Sequence, residues 1–228
     1  MNNEIENNDQ YEEIEYKIIL LGDTSVGKTC LFRKITTGIF MDKNIATVGI
    51  DRRTLKINCD FEENGEKVTK TVILNLTDTS GQERFKSLSK SYYKGSDAAL
   101  LLYDITDKKS FTHLEDWMES VRNSATNSNQ NKYCIFLMGT KIDLIESGKR
   151  NREVTIEEAK DKCEKYSLEW GGECSNKEFS EEKYKDIFKG FMQILYKKIG
   201  YKKFISQSFV NLNSTNIEKK SGCPCIIF

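Results

Sequence analysis

Gly22-Asp23-Thr24-Ser25-Val26-Gly27-Lys28-Thr29 has the spacing G-x-x-x-x-G-K-T. Two glycines let a chain wrap tightly around an anion, backbone N–H groups line the wrap, Lys28 adds charge and Thr29 offers a hydroxyl to a divalent cation. Such a loop works only between a strand and a helix. The apolar run Tyr16 to Leu21 precedes it, and helical spacing from Lys28 to about Thr36 follows. Farther on, Asp78-Thr79-Ser80-Gly81-Gln82 follows an alternating segment that ends at Thr77. There Asp78 can face the cation, Gly81 can give an N–H to a terminal phosphate, and Gln82, uncharged and both donor and acceptor, can orient a water.

Thr140-Lys141-Ile142-Asp143 points to the base. The Asp143 carboxylate can accept from guanine N1–H and N2–H₂ together, whereas adenine offers no such pair and leaves a buried charge unpaired. Lys141 can lay its apolar stem along the purine. Glu173-Cys174-Ser175-Asn176-Lys177 can close the other side, with backbone N–H groups near guanine O6. Either segment alone has the composition of an ordinary charged loop. Their order after the phosphate loop and the Asp78 segment gives them meaning.

The elements that must hold these residues follow from periodicity. Leu55, Ile57 and Cys59 alternate, as do Val72, Leu74 and Leu76, and Asn64-Gly65 between them predicts an antiparallel hairpin. Short apolar strands at Ala98–Tyr103 and Tyr133–Met138 alternate with helical patterns. One such pattern places Phe111, Leu114, Trp117, Met118 and Val121 on one face. A second covers Ile156–Tyr166, and a third, Ser180–Ile199, aligns Tyr184, Ile187, Phe188, Phe191, Ile194 and Leu195. The expectation is an α/β fold with a mostly parallel six-stranded sheet, one antiparallel edge and helices on both faces, binding its ligand at the carboxyl ends of the strands.

Composition excludes other classes. The 228 residues carry 35 basic and 35 acidic side chains, without the basic excess a nucleic-acid binder needs. No apolar run approaches the roughly 20 residues that span a bilayer. Met1-Asn2-Asn3-Glu4 has neither the basic and apolar regions of a secretion signal nor the glycine of a myristoylation site. Cys30, Cys59, Cys134, Cys163 and Cys174 are scattered singly and the chain has one His, which argues against a disulfide framework or structural zinc. Residues 1–15 read as a disordered extension, 16–199 as the folded domain and 200–228 as a flexible tail.

The series of phosphate loop, DxxGQ, TKxD and ECSxK resembles the small GTPases of the Ras superfamily over about residues 16–199. Within them Thr47-Val48-Gly49-Ile50-Asp51, Gly81-Gln82-Glu83-Arg84-Phe85 and Ser91-Tyr92-Tyr93-Lys94-Gly95 resemble the switch segments of Rab proteins. The resemblance implies a P-loop NTPase fold and a slow GTPase that cycles between GTP and GDP. It implies that Asp23, Thr24, Ser25, Val26, Gly27, Lys28, Thr29 and Cys30 surround the phosphates and that Phe40 flanks the guanine. Thr47 and Gly81 would meet the γ-phosphate, and Thr140, Lys141, Asp143, Ser175, Asn176 and Lys177 would hold the base. Thr29, Thr47 and Asp78 would bind Mg²⁺, and Gln82 and Lys28 would be catalytic.

Implied partners are an exchange factor, a GTPase-activating protein, effectors and a prenyl-binding chaperone of the GDI kind, in vesicle trafficking on the cytoplasmic face of intracellular membranes. Cys225-Ile226-Ile227-Phe228 is a C-a-a-X box favouring geranylgeranyl, and Cys223-Pro224-Cys225 resembles the C-x-C pairs of Rab proteins, so both cysteines are lipidation candidates. Alternatives are a Rho- or Ras-like signalling GTPase and a GTP-bound binding module that does not hydrolyse. Some positions depart from the Rab pattern: Arg52 and Thr77 replace aromatic residues, Ser80 and Asn176 replace Ala, and Thr140 replaces the more frequent Asn. Thr24 adds bulk in the phosphate loop.

Overall fold

β1 (Ile14–Leu21) is the centre of the sheet, and its burial pattern explains the architecture. Its second half, Ile18 to Leu21, is covered on both faces. Ile18 and Leu20 pack with Phe32, Tyr184, Phe188 and Phe191 on one side, and Ile19 and Leu21 pack with Leu101, Tyr103, Phe111 and Trp117 on the other. A strand buried on both faces reads as a continuous apolar run, as this one does. A computed structural model describes residues 13–41, 49–79, 95–125, 133–200 and 202–203.

After β1 the chain runs through α1 (Lys28–Thr37), β2 (Ile50–Glu63), β3 (Glu66–Thr79), β4 (Ala98–Asp104), α2 (Lys108–Thr112), α3 (Leu114–Ala125) and β5 (Cys134–Thr140). It continues through α4 (Ile142–Glu146), α5 (Ile156–Tyr166), β6 (Glu169–Cys174), α6 (Glu181–Ile199) and β7 (Lys202–Lys203). The strand order is β2-β3-β1-β4-β5-β6. β2 and β3 are antiparallel and the remaining neighbours on this path are parallel. This path has the six strands expected, and β7 adds a seventh beside β1. At the β2–β3 turn, Asn64 and Gly65 have φ 52° and 82°, the pair of positive values that a two-residue hairpin requires.

Several boundaries differ from the sequence reading. β1 opens at Ile14 rather than Tyr16, because Ile14 is fully buried and pairs with Val72. β7 lies inside the stretch read as a tail and pairs antiparallel with Ile14 and Glu15. The helical face from Phe111 to Val121 is split at His113 into α2 and α3. Periodicity does not reveal β6, since Gly171 and Gly172 interrupt any alternation. The reason for Gly171 is steric: a Cβ there would lie 2.9 Å from Phe191 Cζ and 3.1 Å from the Leu137 carbonyl, so glycine lets α6 press onto the sheet.

Side chains cap the helices that support the site. Thr155 and Glu158 form a reciprocal capping box at α5, and Ser180 accepts from Lys183 N–H at α6. Cys59, Cys134, Cys163 and Cys174 pack as small apolar side chains in the two cores.

Burial pushes the thiols of Cys59, Cys134 and Cys163 from 9.0 up to about 11. A folded-state value above the unfolded one gives stability that is complete below about pH 9 and lost as pH rises to about 11. The urea midpoint should therefore hold steady up to about pH 9 and fall between pH 9 and 11. Replacing these three cysteines by alanine should flatten that fall, measured as urea midpoint against pH.

Candidate nucleotide site

The loop between β1 and α1 is bent at three positive φ values: Gly22 at 134°, Ser25 at 65° and Gly27 at 102°. Gly22 is required twice over, since a Cβ there would sit 2.2 Å from the Leu102 carbonyl oxygen. Gly27 is the N-cap of α1 and no side chain caps the helix. The helix dipole favours negative charge at this end of α1.

Lys28 is only 5% exposed. Its Nζ donates to the carbonyls of Gly22 at 2.8 Å and Asp23 at 2.7 Å, so the ammonium lies inside the curl of its own loop. Thr29 Oγ1 donates to Asp78 Oδ2 at 2.7 Å, joining α1 to the end of β3. Asp78 is fully buried and its Oδ1 has no hydrogen-bond partner among the described residues. Burial pushes the Asp78 carboxyl up, against the opposing pull of the Thr29 hydroxyl and the Lys28 ammonium. A carboxylate with one idle buried oxygen, bonded to a hydroxyl oxygen, supplies the two hard donors that Mg²⁺ takes from a protein when phosphates and water complete its shell. The donor set fits that ion.

Asp23 contributes its backbone to the loop, while its side chain faces α3. Trp117 Nε1 donates to Oδ1 at 2.8 Å, and the chain's single histidine, His113, holds Nδ1 2.6 Å from Oδ2. Thr24 and Ser25 are exposed at the loop's tip, Val26 is buried beneath it, and Cys30 is half-buried in α1. Phe40 is half-buried beyond α1, and Lys177 is exposed.

On the base side, Ser175 Oγ donates to Asp143 Oδ1 at 2.8 Å and itself accepts from Glu178 N–H at 3.0 Å. Lys141 sits at φ 68° and its Nζ pairs with Asp104 Oδ2 at 2.6 Å. Asp104 also accepts from the backbone N–H and the hydroxyl of Thr106. Thr140 Oγ1 is shared between the Val26 carbonyl at 2.7 Å and the Tyr103 carbonyl at 2.9 Å. Asn176 Nδ2 donates to the Gly27 carbonyl at 3.1 Å. The phosphate side and the base side therefore meet through direct hydrogen bonds.

Thr47, Ser80, Gly81 and Gln82, and the lipidation candidates Cys223 and Cys225, lie outside the described residues. Sequence reasoning missed His113, Trp117, Asp104 and Tyr184 as supports of the loops. It also missed Arg152, which pairs with both carboxylate oxygens of Glu173 at 2.5 and 2.8 Å behind the base loop. Nothing separates Arg152 from its basic neighbours Lys149 and Arg150 in the sequence; only the fold brings it to Glu173.

Compared with known families, the chain matches the Ras family over residues 17–197. Ras-related protein Rab-30 of Homo sapiens is 41% identical over 146 residues, which are 64% of this chain and 64% of Rab-30. Ras-related protein Rab-19 of Xenopus laevis is 38% identical over 154 residues, 67% of this chain and 64% of Rab-19. Ras-related protein RabC of Dictyostelium discoideum is 34% identical over 212 residues, 93% of this chain and 98% of RabC. The chain thus spans somewhat under two thirds of the length of the first two and almost all of the third.

Glu173 is 5% exposed in its side chain and Arg152 27%, so removing the guanidinium strands a buried carboxylate. Arg152→Ala should cost about 3 kcal/mol, and Arg152→Met with Glu173→Leu should recover most of it. Urea unfolding of both variants checks this.

Proposed function

Because the chain belongs to the Ras family and, within it, to the Rab proteins, we propose that it is a guanine-nucleotide switch. It binds GTP and GDP, hydrolyses GTP to GDP and phosphate with slow intrinsic turnover, and in its GTP state recruits effectors to membranes in vesicle trafficking. One observation carries the reading. The phosphate loop that carries Lys28 and Thr29 is tied to the base side by Thr140 on the Val26 carbonyl and Asn176 on the Gly27 carbonyl, while Thr29 meets Asp78 and Ser175 fixes Asp143.

Each residue has a task in this reading. The N–H groups at the start of α1 and the Lys28 ammonium bind the phosphates. With Ser175 fixing one oxygen, the Asp143 carboxylate accepts from guanine N1–H and N2–H₂, and adenine is rejected because it would leave that carboxylate unpaired. Thr29 and Asp78, with Thr47, would hold Mg²⁺, which when bound neutralises charge on the phosphate oxygens. Gln82 orients the attacking water. Thr24 in the phosphate loop accounts for the slow turnover, and a GTPase-activating protein supplies the missing rate. An exchange factor reopens the site.

Membrane residence rests on lipid at Cys223 and Cys225, since one chain alone anchors marginally. A prenyl-binding chaperone returns the GDP form to the cytosol. Arg52 and Thr77 face each other across β2 and β3 and line a concavity of about 470 Å³ with Lys17, Thr54 and Asn75. Arg52 and Thr77 stand where the Rab pattern has aromatic side chains, which sets the effector choice apart. Arg52→Phe with Thr77→Trp should restore binding to ordinary Rab effectors in a pull-down with the GTP-loaded chain; no gain refutes this.

Guanine nucleotide should co-purify with the chain and hydrolyse slowly in a single turnover. Gln82→Leu should abolish hydrolysis and keep binding, whereas Asp143→Ala should weaken GDP binding by roughly 100-fold, as expected when paired buried hydrogen bonds to a charged group are lost. Chromatography of bound nucleotide and single-turnover kinetics check both. GTP that persists in wild type and variant alike marks a binding module without catalysis.

A further inference from the structure

Asn176 stands one residue beyond the serine that fixes Asp143, yet its side chain serves the other half of the site. Its amide nitrogen donates to the Gly27 carbonyl at 3.1 Å, and its amide oxygen accepts from the Tyr184 hydroxyl at 2.6 Å. Tyr184, in α6, is fully buried and Asn176 is 6% exposed. Burial pushes the Tyr184 phenol far above its ordinary range, so it remains a donor. That donor fixes which end of the amide faces the loop. The approach is close, since a Cβ on Gly27 would lie 2.7 Å from Asn176 Nδ2.

What this contact controls follows from peptide planarity. The carbonyl of one residue and the N–H of the next lie in one plane and point in opposite directions. Holding the Gly27 carbonyl therefore aims the Lys28 N–H, and holding the Val26 carbonyl aims the Gly27 N–H. Thr140 holds the Val26 carbonyl from β5. The Gly27 carbonyl takes two donors, Leu31 N–H of the first helical turn at 2.9 Å and the Asn176 amide. Two successive peptide planes of the phosphate loop are thus set from the base side.

We propose that Asn176 is a positioning residue that couples the base loop to the phosphate loop, so that nucleotide escapes only when the chain Tyr184–Asn176–Gly27 is broken. The inference rests on the guanine-nucleotide reading above. It separates Asn176 from a mere support of the base loop: its loss should weaken the hold on phosphates beyond the first and spare the hold on the base.

The test uses the full chain loaded with fluorescent GDP. Release is followed after adding excess GDP, and GMP affinity is measured by competition. Asn176→Ala should speed GDP release about fivefold to tenfold, the effect of one neutral buried hydrogen bond, with GMP affinity unchanged. Tyr184→Phe, which keeps the ring and removes only the hydroxyl, should speed GDP release about threefold and also spare GMP. Equal losses for GDP and GMP, or unchanged release in both variants, overturn the proposal. If Asn176→Ala does not fold, Tyr184→Phe decides alone. A wild-type chain that retains no GDP refutes the nucleotide reading itself and this inference with it.

Discussion

A buried ammonium gripped by the backbone carbonyls of its own loop is the constraint on which the rest of the site depends. Lys28 is 5% exposed and its Nζ is bound to the Gly22 and Asp23 carbonyls. Taking a cation out of water costs several kcal/mol unless local dipoles or a counter-ion replace the lost hydration. The loop provides the dipoles, and an anion against the helix N-terminus provides the charge. That arrangement works only if the loop cannot relax around Lys28. Gly22 is therefore pressed against Leu102, Asp23 is gripped by Trp117 and His113, and the Val26 and Gly27 carbonyls are tied from the base side.

The sheet makes this rigidity possible through uneven burial. Where β1 enters the phosphate loop, Ile18 to Leu21 are packed on both faces, so the last turn before Gly22 has no freedom. At its start, Glu15 and Lys17 face a polar surface, where Asn75 donates to Glu15 at 2.7 Å and accepts from Thr54 at 2.6 Å. The loop end of the strand is locked by apolar packing on both faces, while at its start Ile14 and Tyr16 pack one face into the core and the other face is held by hydrogen bonds that contribute less. Local opening should thus begin far from the ligand and leave the loop intact longest.

Much of this was legible in the sequence. The phosphate loop, the Asp78 segment and Thr140–Asp143 could be placed because each follows a strand visible in the sequence, Glu173–Lys177 had meaning only from its order after them, and α5 was bounded correctly from its pattern alone. β6 escaped because Gly171 and Gly172 break the alternation, for a reason, the pressure of Phe191, that lies in another element. Arg152 with Glu173, and Trp117 with His113 on Asp23, escaped for a related reason. Each joins residues far apart in sequence, and neither a charged loop nor an amphipathic helix announces which of its polar members will be buried.

Thr140 and Asn176 illustrate how two departures from a family pattern can belong together. A threonine hydroxyl has one hydrogen to give, and at position 140 it is already divided between the Val26 and Tyr103 carbonyls. It has nothing left for the neighbouring carbonyl of Gly27. An alanine at 176 would leave that carbonyl with its helical N–H alone; an asparagine adds a second donor from a side chain long enough to cross between the loops. Tyr184 then makes the addition specific, because without a donor on its oxygen the amide could rotate and turn a lone pair toward a carbonyl. The two hydrogen bonds that join the halves of the site are thus assembled from three elements: β5 through Thr140, the base loop through Asn176 and α6 through Tyr184.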